Sequence, residues 1–160
     1  MSSTSTRPIA DGRPAQVDVR GPRFAAWVTT AVLIATVLVA GVSEPMAAAL
    51  LGAQALVFAI GAVGGPRRHP YGRIFSIFVA PRLAPATERE PVAPLKFAQL
   101  VGFVFAVVGA AGFAFGVTAL GLTATAFALV AAFLNAAFGI CLGCRLYPLV
   151  ARLRRVPNPA

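Results

Sequence analysis

The chain has two cysteines, Cys141 and Cys144, and they stand together as C-L-G-C inside LNAAFGICLGCRLYPLV. Two thiols at this spacing can exchange a disulfide or carry a persulfide, and they can also form half of a metal centre. A closed zinc site needs four ligands, and His69 alone shares their side of the chain's threading, so neither a metal nor a cofactor is predicted. The competing reading is that both are small apolar packing residues.

The surroundings bear on that choice. On a continuous helix, residues at i and i+3 have Cβ atoms about 5 to 6 Å apart, beyond the roughly 3.5 to 4.5 Å of a disulfide. Gly143 and Pro148 loosen this turn, because Pro148 lacks the N–H that would bond the Cys144 carbonyl. A helix C-terminus favours the neutral thiol, and Arg145 favours the thiolate. The candidate site is therefore Cys141 and Cys144 as a redox pair, supported by Gly143, Arg145 and Pro148.

The elements holding these residues follow from composition. Hydrophobic residues make up 58% of the chain and charged ones 12%, about half the charged share of a soluble domain, which moves the chain to the membrane class. A bilayer core of about 30 Å takes roughly 20 apolar residues of helix. Four runs qualify: 24–42, 45–64, 97–120 and 122–144. The links near Ser43-Glu44 and Gly121 hold only tight turns. The expected fold is all-α, an integral membrane bundle of four transmembrane helices arranged as two hairpins. Residues 1–22 read as a disordered tail, 23–152 as the transmembrane domain and 153–160 as a second tail.

Lys and Arg placement orients the bundle. The basic residues lie at Arg7, Arg13, Arg20 and Arg23, from Arg67 to Lys96, and from Arg145 to Arg155, with none at either hairpin tip. By the positive-inside rule, both termini and the middle segment face the cytoplasm of a bacterial plasma membrane. The net charge of +9 thus serves anionic headgroups and not nucleic acid.

Within the middle segment, Tyr71, Ile74, Phe75, Phe78 and Val79 recur at helical spacing. A short amphipathic helix over about 71–80 is expected, lying in the interface with Arg67, Arg68 and Arg73 toward headgroups, or else capping the bundle. PRLAPATEREPVAP then reads as a linker. Inside the spans, small residues mark close packing: Ala98, Gly102, Gly109, Gly112 and Gly116 in the third run, and Thr125 through Gly143 in the fourth, including Gly139-x-x-x-Gly143. Asn135 and Gln54 read as interhelical hydrogen-bonding groups. On the helical wheel the cysteines point away from this seam.

Taken together, GPRFAA (21–26), GPRRHPYGRIF (65–75), LKFAQLVG (95–102) and LNAAFGICLGCRLY (134–147) resemble a family of small actinobacterial four-helix membrane proteins known only as domain of unknown function 4395. The likeness runs from about residue 18 to 152. Its most specific element is Asn135 followed by the CLGCxxY signature of Cys141, Cys144 and Tyr147; Lys96 departs from an expected arginine. The resemblance implies a thiol or sulfur context, since such proteins are often encoded beside thioredoxin-like and sulfurtransferase proteins, and it brings no activity with it.

Three functions are consistent with these features. One is a membrane-embedded dithiol working with a thioredoxin-like or sulfurtransferase partner. Another is a non-catalytic anchor or scaffold. The third, a transporter of a small sulfur species, is disfavoured because the four expected runs hold no Asp, Glu, Lys, Arg or His.

Overall fold

The computed structural model describes residues 15–154. Four long helices cross its length: α1 (Arg20–Ala40), α2 (Glu44–Gly64), α4 (Val92–Ala114) and α5 (Thr118–Phe138). Their 21, 21, 23 and 21 residues span about 32 to 35 Å at the helical rise, enough to cross a bilayer. The fold is the expected all-α membrane bundle. Two spans are shifted toward their polar flanks, α1 starting at Arg20 and α4 at Val92. An apolar window omits such ends, whereas backbone hydrogen bonding extends into them.

The hairpin tips differ from expectation at one place. The first turn is where the sequence puts it: Ser43 caps α2 by accepting from the Met46 N–H at 3.4 Å, with Pro45 in the first helical turn. The second turn was expected around Gly121 and lies instead at 115–117, where Gly116 takes φ 72°. Gly121 sits within α5 against α4. A Cβ built on Gly112 would stand 2.5 Å from the Gly121 nitrogen, so the two backbones nearly touch. Across the tips, the Thr118 hydroxyl donates to the Glu44 carboxylate.

Small residues shape the core. Leu33, Leu51, Phe58 and Phe113 are surrounded by Ala47, Ala55, Ala106 and Ala128, and large apolar side chains such as Leu38, Leu56 and Val63 face outward. This is the pattern of a bundle whose solvent is lipid, where close backbone approach takes the place of a hydrophobic drive. The buried hydroxyls of Thr30, Thr36 and Thr125 donate to carbonyls one turn back, which satisfies them inside the bundle.

The other end of the bundle carries the additional elements. Residues 15–22, expected as part of a disordered tail, are structured here. Strand β1 (Gln16–Asp18) pairs antiparallel with β2 (Arg89–Pro91), with Val17 opposite Glu90. The expected linker after residue 82 therefore contributes a strand. Asp18 joins the Arg20 backbone and guanidinium at 2.8 to 3.0 Å, and Arg20 also donates to the Ala84 carbonyl. The rest of the expected tails, 1–14 and 155–160, lies outside the described residues.

The middle segment is helical but not one regular helix. A turn of α-helix, α3 (Pro70–Ile74), widens into a π turn at Phe75–Val79 and tightens into a 3₁₀ turn at Ala80–Arg82. Its apolar residues divide between two directions. Phe75 is buried against Gly21 and the Phe24 ring, and Tyr71 donates its hydroxyl to Gln54 Oε1 at 2.9 Å. Ile74, Ile77 and Phe78 point away from the bundle. The single face expected from spacing is thus split, because the π turn changes the angular step between Phe75 and its neighbours.

Candidate functional site

The expected fourth span, 122–144, contains a break that reorganises the cysteine site. Helix α5 stops at Phe138, and Gly139 takes the left-handed conformation at φ 67°, which glycine adopts at low cost. The freed carbonyls of Asn135 and Leu134 accept from the Gly139 and Ile140 N–H groups at 3.1 Å. Arg23, seen in the sequence only as a basic flank, reaches across from α1 and donates to the Ala136 and Ala137 carbonyls at 3.3 Å. A cation at a helix C-terminus is favourably placed against the dipole.

A new helix, α6 (Leu142–Arg154), begins after the break. Its packing on α4 explains its direction. A Cβ on Gly143 would lie 2.6 Å from the Ala98 Cα, and the Tyr147 ring packs 6.0 Å from that of Phe97. Gly143 is therefore a close-packing glycine, as expected, but Gly139 is not: a Cβ there meets nothing within 4 Å. The expected G-x-x-x-G seam is split, Gly139 ending α5 and Gly143 lying in α6.

Cys141 is the residue that starts α6. Its carbonyl accepts from the Arg145 N–H at 3.1 Å, and its Sγ accepts from the Cys144 N–H at 3.3 Å. A side chain at the N-cap position bonds the third helical N–H in this way. The expectation that the thiols sit at a helix C-terminus is corrected: they sit at a helix N-terminus, whose dipole and free N–H groups favour a thiolate. The constraint on Cβ separation within a continuous helix also lapses, since Cys141 lies outside α6.

The two thiols are unlike each other. The Cys144 thiol and N–H, directed at the Cys141 sulfur, hold Cys141 below the ordinary thiol range, against burial and the nearby Glu90 charge. The same thiol pairing, with burial, pushes Cys144 up. Arg145, expected to assist, is exposed and is not among the leading causes of either shift. Glu90 on β2 is the acidic neighbour instead; burial raises its pKa, partly offset by Arg23. Both cysteines are free thiols.

Asn135 and Cys141 are brought together on one cavity of about 260 Å³, which also includes Gln99. Gln99, a polar residue seven positions into an apolar helix, was passed over in the sequence, although that isolation was its signal. A second cavity of about 330 Å³ lies nearer the ribbon, lined by Arg67, His69, Phe75, Arg89 and Gln99. Here His69 is buried with both ring nitrogens unpartnered, beside Gln99 Oε1; Gln54 Nε2 is also unpartnered. Burial lowers the His69 pKa to about 4, with Gln99 drawing it partly back. Arg68 and Arg73 are exposed at this end and Phe78 points outward. Pro148 lies inside α6, leaving the Cys144 carbonyl without its helical donor. Among the described residues no group of three or more His, Cys, Asp or Glu side chains comes together as a metal site.

A family model described as a domain of unknown function, DUF4395, matches residues 17–152. The chain belongs to the DUF4395 family. That match begins at the ribbon and ends within α6, so the family unit includes both the bundle and the helix that Cys141 caps. No curated protein and no solved structure matches the chain.

Proposed function

We propose that this multi-pass membrane protein is a dithiol component of thiol-redox or persulfide handling, in which Cys141 attacks and Cys144 resolves. The observation that carries this reading is the position of Cys141 as the N-cap of α6, its sulfur accepting the Cys144 N–H at 3.3 Å. A thiolate so placed is stabilised, and the raised Cys144 remains a thiol until its proton is removed. Glu90 is the charged group near both sulfurs and would receive that proton.

Electrons and atoms balance in exchange with a partner. The Cys141 thiolate attacks one sulfur of the partner's disulfide, forming a mixed disulfide and releasing the other sulfur as thiolate. Cys144 then attacks the Cys141 sulfur, closing the internal disulfide and expelling the partner as a dithiol; the reverse sequence oxidises a partner dithiol. A sulfurtransferase would instead leave its outer sulfur on Cys141 as a persulfide. Thioredoxin-like and sulfurtransferase proteins are the partner classes proposed.

The charge distribution supports a cytoplasmic placement of this end in a bacterial plasma membrane, with the middle segment's Ile74, Ile77 and Phe78 turned toward lipid and its arginines toward anionic headgroups. The same exposed apolar residues favour a second reading, a membrane anchor that docks another protein there.

Thiol labelling separates the two. In native membranes a mild oxidant should block both thiols against a permeant maleimide, and a reductant should restore labelling. Cys144→Ser should trap a partner as a mixed disulfide on Cys141, and Cys141→Ser should trap none. Unchanged labelling after oxidation, together with wild-type stress resistance of the Cys141→Ala, Cys144→Ala double variant, would leave the anchor.

A further inference from the structure

The 260 Å³ cavity leads from Cys141 into the membrane-spanning part of the bundle, and its lining changes character along its length. At the end beside the cysteines stand the carboxamides of Gln99 and Asn135. Deeper lie Phe58, Phe105 and Phe127, contributed by α2, α4 and α5. Phe127 stacks 5.9 Å from Phe105 and is 61% exposed on the outer face, so the cavity wall is also part of the lipid-facing surface. Cys141 lines this space and Cys144 does not.

We propose that this cavity binds the ring of a lipid-soluble quinone, which accepts the two electrons of the Cys141 and Cys144 dithiol. The proposal rests on the dithiol reading above and adds its electron acceptor. Four features select the ligand class. A wall shared with the lipid-facing surface selects a membrane-soluble molecule. Aromatic walls accommodate a planar ring. Two carboxamides at one end supply N–H donors for ring carbonyls. The volume lies below the roughly 300 to 1,000 Å³ of drug-sized sites, so it holds one substituted ring and leaves an isoprenoid tail in lipid. A flavin or nicotinamide nucleotide is too large and carries phosphates, which this lining has no cation to meet.

The step balances without a further reactant. The Cys141 thiolate adds to a ring carbon, forming a C–S bond and moving an electron pair onto a carbonyl oxygen, which takes a proton. The Cys144 thiolate then attacks the Cys141 sulfur. An S–S bond forms, the C–S bond breaks, and its electron pair stays on the ring, which takes the second proton as quinol. Two thiols are oxidised to one disulfide while one quinone is reduced to one quinol. A soluble partner dithiol reduces that disulfide again, so electrons pass from cytoplasmic thiols into the lipid-soluble pool.

The test uses the full chain in detergent, reduced, freed of reductant and kept anaerobic. The probe is a short-chain benzoquinone with every ring position substituted, which disfavours stable thioether adducts. Quinol is followed by absorbance and free thiols by maleimide, with the water-soluble oxidant diamide in a parallel arm. The wild type should form one quinol per chain and lose both thiols. Ala132→Leu, which fills the cavity, and Asn135→Ala, which removes a donor to the ring, should each slow quinone reduction roughly tenfold, about the worth of one hydrogen bond or one steric contact. Diamide should close the disulfide in Ala132→Leu at the wild-type rate, showing that the variant is folded. Disulfide closure by diamide without quinol formation in the wild type, or equal quinone rates in all three proteins, would overturn the quinone site and leave the dithiol reading standing. Failure of both oxidants to close a disulfide would overturn both.

Discussion

Close backbone contacts occur at both ends of the bundle, but the two ends differ in what surrounds them. At the hairpin tips, short turns and touching glycines bring α4 and α5 together so closely that a Cβ on Gly112 meets the Gly121 backbone at 2.5 Å. At the basic end, the ribbon, α3 and α6 are laid across the helix termini. Two cavities reach this end, and the buried atoms of His69 and Gln99 that lack partners lie beside them. Close packing uses up polar groups and space, whereas chemistry requires both to remain available. The comparison teaches that two cavities and the unpartnered atoms of His69 and Gln99 collect where the helices are interrupted.

The largest effect is expected at the closed end. Gly112→Leu forces a side chain into the Gly121 backbone, which cannot yield as a side-chain tip would, and should destabilise the bundle by about 3 kcal/mol. Thermal unfolding in detergent measures this. An unchanged midpoint would show that the Gly112 and Gly121 backbones are not in contact.

At the open end the effect is set by pH. His69 is held neutral in the folded chain, with a pKa of about 4 against 6.5 when unfolded. Between those values the unfolded state binds more protons, so stability is intact above about pH 6.5 and is lost as pH falls toward 4. The full loss amounts to as much as about 3 kcal/mol, and only part of it is reached at pH 5. Unfolding midpoints across that window should slope in the wild type and flatten in His69→Gln. Parallel slopes would show that the imidazole is not buried as described.

The smallest effect sharpens the comparison at single glycines. Gly139→Ala meets no neighbouring atom but must hold φ 67°, costing about 1 kcal/mol. Gly52→Ala, in an open helical position, should gain a few tenths to about 1 kcal/mol. Equal midpoints for the two variants would mean that the α5 break does not depend on a left-handed residue, and the N-cap position of Cys141 would lose its basis.

The four spans, their pairing as hairpins and the gathering of basic residues at one end could be read from the sequence, because transfer of a side chain into hydrocarbon is a property of each residue summed over a window. Asn135, Cys141, Cys144 and Tyr147 were also visible as a motif, of which the fold brings Asn135 and Cys141 onto one cavity. What the window could not resolve were the two places where a helix stops inside apolar sequence. Residues 115–121 and 134–144 carry no charged side chain and stay apolar on average, and hydropathy does not distinguish a helix that continues from one that ends. That decision belongs to the tertiary structure: Gly116 and Gly139 can go left-handed, Arg23 arrives from α1 to cap the carbonyls of α5, and Gly143 and Tyr147 fasten α6 against α4. None of these contacts is local in the chain, and together they move Cys141 from the end of one helix to the beginning of another.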